Sequence, residues 1–177
     1  NTIFGKVNSY VEKKNYSKAL EELTWARKEI EKLNMDALAG MLPESLVGFT
    51  GGKSETNTAL GITSIEKPYS GNNMQVKVSI TGGGSSGGPG LGGGLAALGQ
   101  MAAMFGQQAG QDVFRIEGLT ASLSKDTGNP DLTVFLSSGS ILKFEMTKGD
   151  DEAKLKEMAN AIGVTKIDNY LKGVSNG

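Results

Sequence analysis

Apolar residues recur along this chain at two different periods. From Ser17 onward, Leu20, Leu23, Ala26, Ile30, Leu33, Ala37 and Met41 follow at steps of three and four, which places them on one helix face. The spacing predicts a helix over 17–41, with Ser17 as its cap and Glu21 and Glu22 near the positive end of its dipole. Gly40 weakens its end and Pro43 stops it. Ile3, Val7, Tyr10 and Val11 carry the same period over 2–13, and a break at Lys14-Asn15 separates the two runs. The first 43 residues therefore read as a helical hairpin. Trp25 lies off the main stripe and is expected to extend the core.

Beyond Gly48 the period becomes two. The stretches 59–69 and 74–82 flank Ser-Gly-Asn-Asn, which is turn chemistry between strands. Val76, Val78 and Ile80 alternate with Lys77 and Ser79, so one face is buried and one is wet. Three further strands read from 112–126, 131–137 and 141–147. A last helical pattern opens on acidic residues, carries Leu155, Met158, Ala159 and Ile162 on one face, and closes at Gly163. Thr165 is placed to cap a short final helix containing Ile167, Tyr170 and Leu171.

Helices, then strands, then helices predict an α+β fold rather than an alternating parallel one. The expected architecture is an N-terminal helical hairpin (1–43) followed by an α+β domain (44–177). That domain holds an antiparallel sheet of four to five strands, with a C-terminal helix packed on it. A glycine-rich insertion interrupts it at 82–110.

The insertion carries no charge, and none lies between Lys77 and Asp112, although 21% of the chain is charged. Its first part, GGGSSGGPGLGGG, has too little side chain to pack. Further on, Leu91, Leu95, Leu98, Met101 and Phe105 recur at helical steps, with Met104 beside them. Ala, Leu, Met and Gln favour helix, so a short apolar helix is expected at about 94–108. Three roles compete for it: packing on its own domain, binding a protein through Leu, Met and Phe, or entering a membrane interface. The last lacks the Lys/Arg rim and Trp anchor common in interfacial helices.

Composition removes chemistry rather than adding it. The chain has neither cysteine nor histidine, which excludes thiol nucleophiles, disulfides, thiolate metal sites and the usual general base. Its 18 basic and 19 acidic residues nearly cancel, giving no broad attraction for nucleic acid. No run of residues reads as a spanning helix. The first residues are Asn-Thr rather than Met, as a cleaved signal, a lipoprotein leader or trimming would each produce.

Several local matches dissolve on inspection. GFTGGKS at 48–54 has Val47 where a phosphate loop needs its first glycine, and it approaches a strand instead of entering a helix. Gly88, Gly90 and Gly93 satisfy G-x-G-x-x-G almost automatically in so glycine-rich a run, with no parallel strand before them. Asp126, Asn129 and Asp131 lie too close together for a helix-flanked calcium loop and read as a turn. Ser122 and Lys125 match Ser-x-x-Lys, but within an alternating strand and without companion motifs. Glu117, Asp126, Asp131 and Glu145 are the carboxylates an enzyme would use, yet no spacing pairs them.

Two resemblances follow from these patterns. NYSKALEELTWARKEI is similar to the first helix of a tetratricopeptide repeat, but a single unit has no neighbours on which to stack. That helix, LPESLVGF, the β-hairpin and the Gly/Met-rich insertion before RIEG together resemble a family of exported bacterial proteins. The resemblance implies export to the periplasm or envelope and a PsbP-like sheet-and-helix domain, and it supplies no catalytic residues. The expectation is a non-enzymatic envelope protein with no cofactor and no metal. It engages a protein partner, or a second copy of itself, through Leu91, Leu95, Leu98, Met101, Met104 and Phe105. A membrane surface stands as an alternative contact, and nucleic acid is not expected.

Overall fold

A computed structural model describes residues 2–59, 62–82, 112–125 and 128–174. The fold is α+β, with helices at both ends of the chain and a large antiparallel sheet between them. The chain divides into two compact units, Asn1–Leu38 and Ala39–Gly177.

The first unit is built from α1 (Thr2–Glu12) and most of α2 (Tyr16–Gly40). Lys14 takes a positive φ of 55°. Its amide reaches Val11 O at 2.9 Å while the Asn15 amide reaches Tyr10 O at 2.8 Å. This pairing closes α1 as glycine usually would. Asn15 then turns its Oδ1 toward the Lys18 amide, 3.4 Å away. Asn15 thus opens α2, the role expected of Ser17. Lys6 and Glu22 stand 3.8 Å apart across the two helices, and the Lys18 amine sits over the Tyr10 ring.

The second unit is organised by one sheet. Its strands are β1 (Ser45–Leu46), β2 (Phe49–Gly51), β3 (Glu55–Ala59), β4 (Ile62–Gly71), β5 (Met74–Thr81), β6 (Asp112–Ile116), β7 (Leu119–Ser124), β8 (Asp131–Phe135) and β9 (Ile141–Lys148). They lie in the order β1-β2-β4-β5-β9-β8-β7-β6, with β3 on the same edge of β4 as β2. Every pairing is antiparallel. The sheet is wider than the four to five strands expected, because β1, β2 and β3 are too short or too polar to show alternation and because the stretch 112–126, read as one strand, turns back at Glu117-Gly118 as β6 and β7. Tight turns at Val47-Gly48, Asn72-Asn73 and Glu117-Gly118 have positive φ at both residues, the turn twist that suits a two-residue β-hairpin. GFTGGKS therefore begins inside the β1–β2 hairpin.

Alternation sets the two faces. Ile65, Tyr69, Val76, Val78, Ile80, Leu132, Val134, Leu142, Phe144 and Met146 are all buried, and the registers place them on one side. That side is covered by α3 (Glu152–Ala161), through Leu155, Met158 and Ala159, which packs on β8 and β9. Each such side chain contributes about 1.5–3 kcal/mol on burial. Asp151 caps α3 by accepting from the Lys154 amide at 2.9 Å. Gly163, at φ 79°, separates α3 from α4 (Val164–Leu171).

Candidate functional site

The residues singled out for partner binding, Leu91, Leu95, Leu98, Met101, Met104 and Phe105, lie outside the described residues, as does Asp126. The remaining three carboxylates are placed. Glu117 stands in the β6–β7 turn and accepts from the Thr165 amide at 2.7 Å. It therefore satisfies a donor in the first turn of α4, near where Thr165 itself was expected to cap. Asp131 and Glu145 are direct cross-strand partners. Each is matched with a lysine at 3.2 Å, Asp131 with Lys143 and Glu145 with Lys77. Opposite charges alternating across a partly exposed sheet face form a solvated ladder, and the Asp131 and Glu145 side chains keep 28% and 41% of their surface in water.

The same open face carries a groove of about 310 Å³ bordered by Glu55, Glu66, Pro68, Gln75, Lys77 and Thr147. Glu55 and Glu66 oppose each other directly in the β3–β4 register, and Lys77 approaches Glu66 at 4.0 Å. Among the described residues no group of three or more acidic side chains could hold a metal ion.

Among the described residues two charged side chains are buried, Asp168 on α4 and Lys67 on the covered face of the sheet, and the sequence reading named neither. Asp168 accepts from Ser137 Oγ at 2.5 Å, from the Ser138 amide at 2.8 Å and from Lys172 Nζ at 2.9 Å. Burial pushes its carboxyl up, but the bonds from Ser137, Ser138 and Lys172 outweigh this and hold it below the usual carboxylate range. Lys172 also donates to Ser137 Oγ at 3.0 Å. The grouping has the residue types of a serine nucleophile and a base. Lys172, however, is engaged in an ion pair with Asp168, and Asp168, the carboxylate that accepts from the serine, is held below the usual range and is a correspondingly weak base. Its evident work is to fasten α4 to the β8–β9 turn. Ser140 Oγ, buried near that turn, has no partner among the described residues.

Lys67 is the second. Its Nζ donates to Leu42 O at 3.1 Å and to Glu44 Oε1 at 2.7 Å. Beside it, the Tyr69 hydroxyl donates to Pro43 O at 2.8 Å. Burial, and next the Glu44 carboxylate, push the Tyr69 hydroxyl well above its ordinary value. These bonds pin residues 42–44 to β4. A periodicity signal existed for both charges. Lys67 alternates with Ile65 and Tyr69, and Asp168 falls four residues after Val164 and three before Leu171.

The outstanding surface belongs to the N-terminal unit. Ten large apolar side chains are exposed among the described residues, and all but Val113 and Val174 lie in that unit. Leu20 is 63% exposed, Ile30 60% and Trp25 66%, so Trp25 does not extend a core. Of the stripe expected to be a packing face only Ala26 is buried, with Ala19 and Leu38 buried beside it, while Leu20, Leu23, Ile30 and Leu33 stay open. At about 1.5 Å per residue, the 11 residues of α1 flank fewer than half of the 25 in α2, which leaves Ile30 and Leu33 beyond its length. Tyr16, Leu20 and Leu23 fall within the flanked half and are open all the same, because the positions buried there are Ala19 and Ala26. Apolar side chains gathered in this way mark interaction surfaces.

No helix among the described residues is long and apolar enough to cross a membrane. No protein-family model matches the chain, and no curated protein or solved structure matches it either.

Proposed function

We propose that this chain is a non-enzymatic binding protein that engages another protein through apolar helix surface. The observation that carries this reading is the concentration of exposed large apolar side chains on α2, against two, Val113 and Val174, among the described residues of the second unit. Leaving a Leu/Ile stripe in water forgoes about 1.5–3 kcal/mol per side chain, which a bound partner would recover. The uncharged stretch with Leu91, Leu95, Leu98, Met101, Met104 and Phe105 is a second contact in this reading, supported by its sequence pattern. A setting in the bacterial envelope is supported by the family resemblance.

The test is capture with the purified full chain as bait, comparing it with a Leu23→Glu/Ile30→Glu variant and a Leu98→Glu/Phe105→Glu variant. Both variants are expected to keep the parent's circular dichroism and melting temperature. A defined set of proteins held by the parent should be lost by one or both. Identical retention by all three proteins overturns the reading.

A further inference from the structure

We infer that the apolar face of α2 is covered by a second copy of this chain, packed antiparallel so that the two helical hairpins form a four-helix assembly. This rests on the reading of the chain as a binding protein and names its partner.

Three observations point to a copy of itself. The first is the symmetry of the stripe. Leu20 and Leu33 are equally far from the midpoint between Ala26 and Arg27, and so are Leu23 and Ile30. A two-fold axis beside that midpoint sets Leu23 against Ile30 of the other copy, with Leu20 and Leu33 flanking that contact on its two sides. Such an axis makes one patch complementary to itself. It also lays the half of α2 that α1 leaves unflanked along the half of the other copy that α1 does flank.

The second is charge. Residues 27–36 carry Arg27, Lys28 and Lys32 against Glu29, Glu31 and Asp36. In the antiparallel pairing this balanced half lies along Tyr16–Ala26 of the other copy, where Lys18, Glu21 and Glu22 leave a single net negative charge, so the two facing halves do not share a like net charge. Arg27 already meets Glu31 on its own helix at 2.7 Å, so no cation is stranded at the midpoint.

The third is area. Tyr16, Leu20, Leu23, Ile30 and Leu33 expose 42–63% of their surface. At roughly 100 Å² each this comes to about 500 Å² of apolar surface per copy. A stable dimer buries about 800 Å² per partner, of which about two-thirds is apolar. The stripe therefore supplies what such an interface needs.

The chain has no cysteine, so the register can be read chemically. In the double variant Leu23→Cys/Ile30→Cys the two thiols lie two helical turns apart, about 10 Å, too far to join within one chain. Mild oxidation of the full chain should give a covalent dimer, whereas either single cysteine should give at least tenfold less. Sedimentation should show a dimer for the parent and a monomer for Leu23→Glu/Ile30→Glu, both with native circular dichroism. A parent that stays monomeric to about 100 μM overturns the inference, and so does a dimer indifferent to these substitutions or cross-linked equally well by single cysteines. Loss of foreign proteins by the charged variant in capture, with a monomeric parent, would leave the binding reading standing while removing the self-pairing.

Discussion

Lys67 is almost wholly buried while its ion-pair partner, Glu44, leaves 89% of its side chain in water. The carboxylate reaches in from the surface to 2.7 Å from the buried ammonium, and Leu42 O accepts a second bond from the same nitrogen. A buried charge costs several kcal/mol unless it is paired. The asymmetry therefore decides which partner is dispensable.

Removing Glu44 should hurt more than removing Lys67. Glu44→Ala leaves an ammonium inside the fold with one carbonyl for company, and should cost about 2 kcal/mol. Lys67→Met exchanges the charge for apolar volume and should remain within about 1 kcal/mol of the parent. Urea titrations of both variants and of the double variant check this. Equal losses from the two single changes would show that the pair is not the determinant.

Tyr69 gives the same strap an alkaline limit. The fold holds its hydroxyl above the ordinary value near 10. Its contribution is therefore complete below pH 10 and is lost as pH rises from there toward the folded value. The parent should lose stability in that window, and Tyr69→Phe should lose less. The variant itself should start about 1 kcal/mol weaker at neutral pH, having left Pro43 O without its donor. Melting temperatures across pH 8–11 give the comparison.

Asp168 sets an acid limit of opposite sign. Its carboxyl titrates lower in the fold than in the unfolded chain, so the unfolded chain binds more protons as pH falls below about 5. The stability it contributes is present above the unfolded value near 3.9 and lost as pH drops through the folded one. Asp168→Asn should cost about 1–3 kcal/mol at neutral pH and should flatten the acid side of the stability profile. Steepness unchanged from the parent would show that another carboxylate controls it.

The link between β5 and β6 has a minimum length. Thr81 ends β5 and Asp112 opens β6, with β9, β8 and β7 lying between the two strands. Four strand spacings of about 4.8 Å make a span of roughly 19 Å. Replacing 83–111 with a flexible linker of about 12 residues should keep the sheet intact, with a melting temperature near the parent's. Joining Gly82 directly to Asp112 should abolish the β6–β7 pairing. If the 12-residue replacement unfolds the sheet, the excised segment belongs to its core.

Periodicity revealed the elements that packing makes regular. The two N-terminal helices, the alternating strands Met74–Thr81 and Ile141–Lys148, and the closing role of Gly163 follow from local spacing and glycine's tolerance of positive φ. Long-range bonds left little trace. Nothing near Thr165 announces that Glu117, 48 residues earlier, will accept its amide proton. Asn15 outcompetes Ser17 at the start of α2 because it also sits in the turn that ends α1. The stripe on α2 was visible, but a stripe does not say what covers it. Alongside α1 the buried positions are Ala19 and Ala26, and beyond its end Ile30 and Leu33 have nothing to flank them, so an expected packing face becomes open surface.

The two halves of the sheet, one N-terminal to the insertion and one C-terminal to it, meet along the single ladder between β5 and β9. Seven register pairs stitch that seam, all of them between described residues on the two sides of the interval from Gly82 to Asp112. Two separate polypeptides divided within that interval would each carry one side of the stitching, and their reunion would be driven by interdigitation of Val76, Val78 and Ile80 with Leu142, Phe144 and Met146. The molecule is thus pre-divided for fragment complementation at the place where its composition is most unusual.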